Sequence, residues 1–282
     1  MSPTVHAVRL GLDRGLREFR QTLFSSDQWF TVFIAAVFLT VLAFQRGSTV
    51  AGTPLAMMTL PSMLGMLVAF GGVIGAASQL SMHRIDGTLL RAKAVPQGMV
   101  GYLVSRVVQV SLDAIPSLLI ILIPGLFLLP ELAVVGIAGW LTLVWVLALG
   151  LLATLPWGAV IGSLTKTPQS TFGFTMLPIV GLTAISGIFY PISAVWGWLQ
   201  VIAQLFPVYW LGLGMRSALL PDAAVAAEIG ASWRTLETIG VLAAWAVVGL
   251  LLAPPVLRRM ARRESGSAME ARRQRAMQDW GV

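Results

Sequence analysis

The chain has no cysteine, two histidines and 12 acidic residues among its 282. Without thiols there are no disulfides, no thiolate metal sites and no cysteine nucleophile. Charged residues of all kinds make up only 11%, against about 25% in an ordinary soluble domain. A soluble protein of this length needs far more polar surface than that. Hydrophobic types reach 57% and the mean hydropathy is +0.83, so lipid is the expected solvent for most of the chain.

Chemistry-bearing patterns are also scarce. His6 and His83 both lie outside the long apolar runs. No H-E-x-x-H, no G-x-S-x-G and no G-x-x-x-x-G-K-[ST] occurs, which argues against a zinc protease, a serine hydrolase and a phosphate-loop ATPase. No catalytic residue, metal site or bound cofactor is expected.

All but two of the 19 basic residues are arginine, and the net charge is +7. A nucleic-acid binder would cluster that charge on a soluble domain. Here it falls in short tracts beside apolar runs, as it does in proteins whose basic loops face the cytoplasm. The first run starts at Trp29, behind an Arg-rich lead with no small-residue cleavage site after it. A removable signal peptide is therefore not expected.

A helix needs about 20 mostly apolar residues to cross the hydrocarbon. Six segments read as crossings: Trp29 to Gln45, Leu55 to Leu80, Met99 to Leu129 (broken by Pro116 and Pro124), Leu132 to Ile161, Phe172 to Tyr190, and Leu236 to Leu257. Residues 191–220 are apolar but cut by Pro191, Gly197, Pro207, Gly212 and Gly214. They read as a re-entrant helical hairpin over about 191–214, or as one broken seventh span.

The distribution of charge favours the hairpin. With six crossings, one face collects Arg9, Arg14, Arg17 and Arg20, then Arg84, Arg91 and Lys93, then Lys166, and the tail from Arg258 to Arg275. The other face keeps Arg46, Arg216 and Arg234 together with four acids, Glu131, Asp222, Glu228 and Glu237. Both termini are then cytoplasmic. The expected class is an all-α integral membrane protein with three parts: a connecting segment 1–28, a permease-like domain 29–257 and a basic tail 258–282.

In the lead, Val5, Val8, Leu12, Leu16, Phe19 and Leu23 recur at spacings of three and four. That is an amphipathic helix suited to a membrane surface, or alternatively to a soluble partner. Within the spans the one deep acid is Asp113, with Arg106 two turns earlier on the same helical face. A carboxylate at that depth costs about 3 kcal/mol on insertion scales, so it faces protein or water, unless the helix starts late and Asp113 sits near an interface. Gly71 with Gly75, and Gly158 with Gly162, form GxxxG pairs that permit close helix packing.

Between the second and third runs lies SMHRIDGTLLRAKAVPQG, residues 81–98. Asp86, Gly87 and Thr88 are cap and turn formers. Leu89, Leu90 and Arg91 then begin one or two helical turns, which Pro96 and Gly98 end. A short stiff helix between two spans transmits force that a flexible loop would absorb.

These residues resemble the permeases of type-2 ATP-binding-cassette exporters, close to the daunorubicin-resistance group. That family carries an acid-Gly-Thr-Leu element followed by Pro, present here as Asp86, Gly87, Thr88, Leu89 and Pro96. Its second signature is similar to Ser186, Gly187, Pro191, Trp198, Leu199, Gln200, Pro207 and Arg216. The usual Glu is Asp86 here, and Phe206 stands where Asn is common.

The resemblance implies a coupling helix at about 84–95 and an outer gate containing Pro191, Trp198, Pro207 and Arg216. It implies two separate ATPase subunits that carry ATP and Mg, and a second permease chain, identical or related. The plasma (inner) membrane is the expected location, with lipid but no nucleic acid as a partner. The cargo would be a hydrophobic or amphiphilic molecule, with Asp113 and Arg106 on its path. A lipid-linked glycan is the alternative cargo, and a non-transporting scaffold or sensor the alternative class.

Overall fold

The computed structural model describes residues 3–23, 26–50, 53–165, 167–263, 265–267, 269–271 and 274. Lys166, Arg272, Arg273 and Arg275, counted above for orientation, lie outside the described residues. Helix dominates: α1 Pro3–Thr22, α2 Ser26–Gln45, α3 Leu55–Phe70, α4 Ala76–Ile85, α5 Thr88–Lys93 and α6 Gly98–Leu128. There follow α7 Ile137–Leu164, α8 Pro168–Ile185, α9 Gly197–Leu205, α10 Pro207–Leu219 and α11 Thr235–Arg263. A two-residue antiparallel ribbon pairs Val50 with Thr53 between α2 and α3.

A single π turn, Gly71–Gly75, joins α3 to α4, so Leu55–Ile85 runs as one 31-residue span. α6, α7 and α11 are also long and apolar enough to cross a membrane, which makes four such helices among the described residues. The count is five if α9 and α10 form one bent span; they meet at 88°. Two of the six expected crossings fall short of this test. In α2 the described apolar stretch runs Thr31–Gln45, shorter than the other spans. α8 begins with the polar turn Pro168–Thr171, where a Thr167–Ser170 capping box starts the helix. Pro116 and Pro124 do not break the third run as expected; both lie inside the continuous α6. Neighbouring helices make such prolines tolerable in a membrane helix.

The core centres on α10, which packs against α3 and α7 with almost every side chain buried. Close approach explains the glycines around it. A Cβ on Gly65 would meet the Leu211 carbonyl oxygen at 2.7 Å, and one on Gly214 would meet Val146 at 2.9 Å. Several hydroxyls inside the bundle are satisfied locally. Ser62 donates to the Met58 carbonyl at 2.8 Å and Thr175 to that of Thr171 at 2.8 Å.

The two GxxxG pairs behave differently. Gly158 and Gly162 pack as expected: Cβ atoms there would meet the carbonyls of Val73 and Ala77 at 2.5 and 2.6 Å. Gly71 and Gly75 have open space around them. The π turn adds a residue to that turn, and Gly72 instead lies against Thr154 of α7.

α1 packs along α6 through small residues, not through its apolar arc. Ala7, Gly11 and Gly15 face the partner, and Cβ atoms on Gly11 and Gly15 would meet the Gly101 and Ser105 carbonyls at 2.6 and 2.8 Å. Val5, Leu12 and Leu16 of the arc remain exposed.

Candidate coupling segment and membrane cleft

The segment 86–98 is a tightly built corner. α4 ends at Asp86, Gly87 takes the left-handed conformation (φ 77°), and the six-residue α5 follows. Only glycine adopts that conformation freely. Asp86 Oδ1 accepts from the Thr88 N–H at 2.8 Å. Arg91 reaches back to the Asp86 carbonyl at 3.4 Å and to Thr88 Oγ1 at 3.3 Å. Leu89 and Ala92 are buried in a cluster with Leu80, Tyr102, Leu257 and Met260. Leu90 is half-buried, while Arg91, Lys93, Ala94 and Val95 face outward. Gly98 closes the corner, since a Cβ there would lie 2.1 Å from the Ala92 carbonyl oxygen. The tail also reaches this place: Met269 Sδ would lie 3.1 Å from a Cβ on Gly87.

Arg84 fixes the corner to the bundle. Its buried Nη1 donates to the carbonyls of Gly162, Ser163 and Thr165 at 3.2, 3.1 and 2.8 Å. The last carbonyls of a helix have no partner within it, so Arg84 caps α7 from the end of α4. Sequence reading counted Arg84 only as an orienting charge; its place one helical turn before the α5 corner was the available signal.

Arg106 does not pair with Asp113. It forms an ion pair with Glu18 of α1, donates to Gln79 Oε1 at 3.2 Å and lies over the Tyr102 ring at 5.9 Å. Two helical turns separate Arg106 and Asp113 by about 10 Å along the axis, whereas neighbouring helices offer closer partners. Oδ1 of Asp113 is buried with no hydrogen bond.

The four expected gate residues are spread over the opposite end. Trp198 is exposed, Pro191 half-buried and Pro207 buried at the start of α10. Arg216, 3% exposed, is held by Glu228 in a bidentate pair at 2.6 and 3.2 Å and donates to Ser62 Oγ at 2.7 Å. At the break between α9 and α10, indole N–H groups meet free carbonyls: Trp210 to Gln204 at 2.7 Å, Trp245 to Leu205 at 2.9 Å.

A cleft of about 220 Å³ runs between α4, α6, α7 and α11, walled by residues such as Leu80, Val107, Leu152, Leu155 and Leu250, with Arg106 and Gln79 in its side. Among the described residues no group of three or more His, Asp or Glu is placed to hold a metal ion.

Long apolar helices and a nearly uncharged core define a multi-pass membrane protein. Residues 53–253 match the family model described as ABC-2 family transporter protein, and the chain belongs to that family. Its membrane domains are transport subunits that generally work with an ABC ATPase subunit. No curated protein matches the chain.

Proposed function

We propose that this chain is the membrane permease of an exporter for a hydrophobic or amphiphilic molecule, similar to the daunorubicin-resistance group and driven by ATP hydrolysed on a separate subunit. It works as a pair of permeases, identical or related, on two ATPase subunits. α2, α3–α4, α6, α7, α8 and α11 are the six crossings, both termini are cytoplasmic, and α9–α10 is the re-entrant hairpin of the outer gate. The 88° bend and the shared placement of Lys93 with Arg258 and Arg262 at one end of the bundle support this layout. α1 lies at the cytoplasmic surface with its exposed apolar arc toward lipid.

One observation carries the reading: α5 is a capped corner, bonded through Arg84 to α7, with Arg91 and Lys93 exposed on its outer face. Force applied to that face by a hydrolysing subunit reaches α4, α6 and α7 without slack. Asp113, with its unpaired buried oxygen, is the polar point on the cargo path.

The test is co-purification with an ABC ATPase subunit and measurement of cargo-stimulated hydrolysis. Gly87→Pro, which cannot adopt φ 77°, should abolish the stimulation while the chain still inserts. Full stimulation in that variant would refute the coupling role of α5.

A further inference from the structure

We propose that the cleft between α6 and α11 holds a resident anionic glycerophospholipid, headgroup at the α5 end of the bundle and one acyl chain inside. The apolar cleft opens at that end into a second cavity of about 300 Å³, and the two share Leu103, Pro254 and Leu257. Lys93, Arg258 and Arg262 line the outer cavity, and all three are exposed. A basic mouth therefore adjoins an apolar interior across those shared residues.

The dimensions fit one leaflet. From Arg262 to Leu250 the two cavities follow α11 for about 18 Å at 1.5 Å per residue, and half the hydrocarbon core is about 15 Å. The cleft walls open to lipid: Val107 and Leu250 are each about half exposed. α6 and α11 barely touch, and Pro254 of α11 and Pro156 of α7 line the cleft between them.

Charge selects the occupant. A protein helix seated here would need acids opposite Arg258 and Arg262. Basic pockets between membrane helices accept anionic lipid headgroups by simple attraction. Arg106 in the wall is held by Glu18 of α1, which also pairs with Arg14 at 2.7 Å, while the exposed basic groups stand at the mouth. This inference does not depend on transport; the permease alone suffices to test it.

The full chain would be placed in phosphatidylcholine nanodiscs doped with phosphatidylglycerol or phosphatidylcholine carrying a diazirine on one acyl chain, and the adducts mapped by peptide mass spectrometry. Phosphatidylglycerol adducts in the cleft should exceed phosphatidylcholine adducts by about tenfold. Exposed Leu177 of α8 should show no such preference. Lys93→Gln with Arg258→Gln and Arg262→Gln should remove the preference, while Arg258→Lys with Arg262→Lys keeps it. Leu103→Trp, filling the shared neck, should suppress cleft adducts of both lipids. Equal labelling by the two lipids, no labelling in the cleft, or cleft adducts undiminished by Leu103→Trp would overturn the proposal.

Discussion

Arg84 donates to the Thr165 carbonyl at 2.8 Å, joining the last turn before the α5 corner to the last turn of α7, 81 residues away. Two more carbonyls of the same helix end share that guanidinium nitrogen. Arg84→Ala leaves the Ser163 and Thr165 carbonyls without that donor, while the Gly162 carbonyl keeps the Thr165 hydroxyl at 3.3 Å. Each buried unsatisfied group costs about 1–3 kcal/mol, and the losses overlap, so a destabilisation of about 3 kcal/mol is expected in thermal unfolding of the purified chain. All three bonds leave one nitrogen, and Arg84→Lys, whose side chain is shorter, should recover less than half of the loss. Full recovery with Lys would show that charge alone matters there.

The Arg216–Glu228 pair is buried on both sides. Removing one partner strands the other charge, at a cost of about 3–5 kcal/mol. Arg216→Met and Glu228→Gln should each destabilise by that order. The double variant should lose much less than the sum, because no unpaired charge remains. Additive losses in a double-mutant cycle would contradict direct coupling.

Small residues let α1 and α6 touch backbone to backbone. Gly15→Leu drives a side chain into the Ser105 carbonyl and should separate the helices. Because the chain lacks cysteine, Ala7→Cys with Gly101→Cys gives one defined disulfide. It should form under mild oxidation in the otherwise unchanged chain and be largely lost when Gly15→Leu is added. Unchanged cross-linking would mean that the contact tolerates the bulk.

Val95 is exposed at the α5 corner. Val95→Cys should be shielded from an impermeant maleimide added to intact cells and react once the membrane is opened. Rapid labelling from outside would reverse the proposed orientation.

Asp113→Asn removes a charge whose Oδ1 has no partner. Burial of that charge is costly, so thermal stability should hold or rise slightly while cargo-stimulated turnover falls. A drop in protein yield with normal specific turnover would mark Asp113 as structural.

The helices were legible because a bilayer demands long apolar runs, and because Pro207 and the glycines punctuate the chain where it bends. The corner at 86–98 was legible as well, since Asp86, Gly87 and Gly98 each serve a local geometric need. What escaped were contacts between residues distant in sequence. Glu18 was read as part of an amphipathic lead, yet it answers Arg106 on α6. Glu228 was counted only among the acids of the outer face, yet it is buried against Arg216. Gly71 and Gly75 failed as a packing pair because spacing arguments assume 100° per residue, and a π turn breaks that assumption.

That same turn leaves the second membrane helix with a swivel at mid-height. Above it, Gly65 is locked against Leu211; at the turn itself Gly158 meets the Val73 carbonyl, below it Gly162 meets that of Ala77, and Arg84 bolts the lower end to α7. Twist imposed on the lower half meets first the five residues whose wider winding can tighten or migrate along the helix. The torsional compliance of the bundle is thus concentrated between its outer core and the corner that a motor would push.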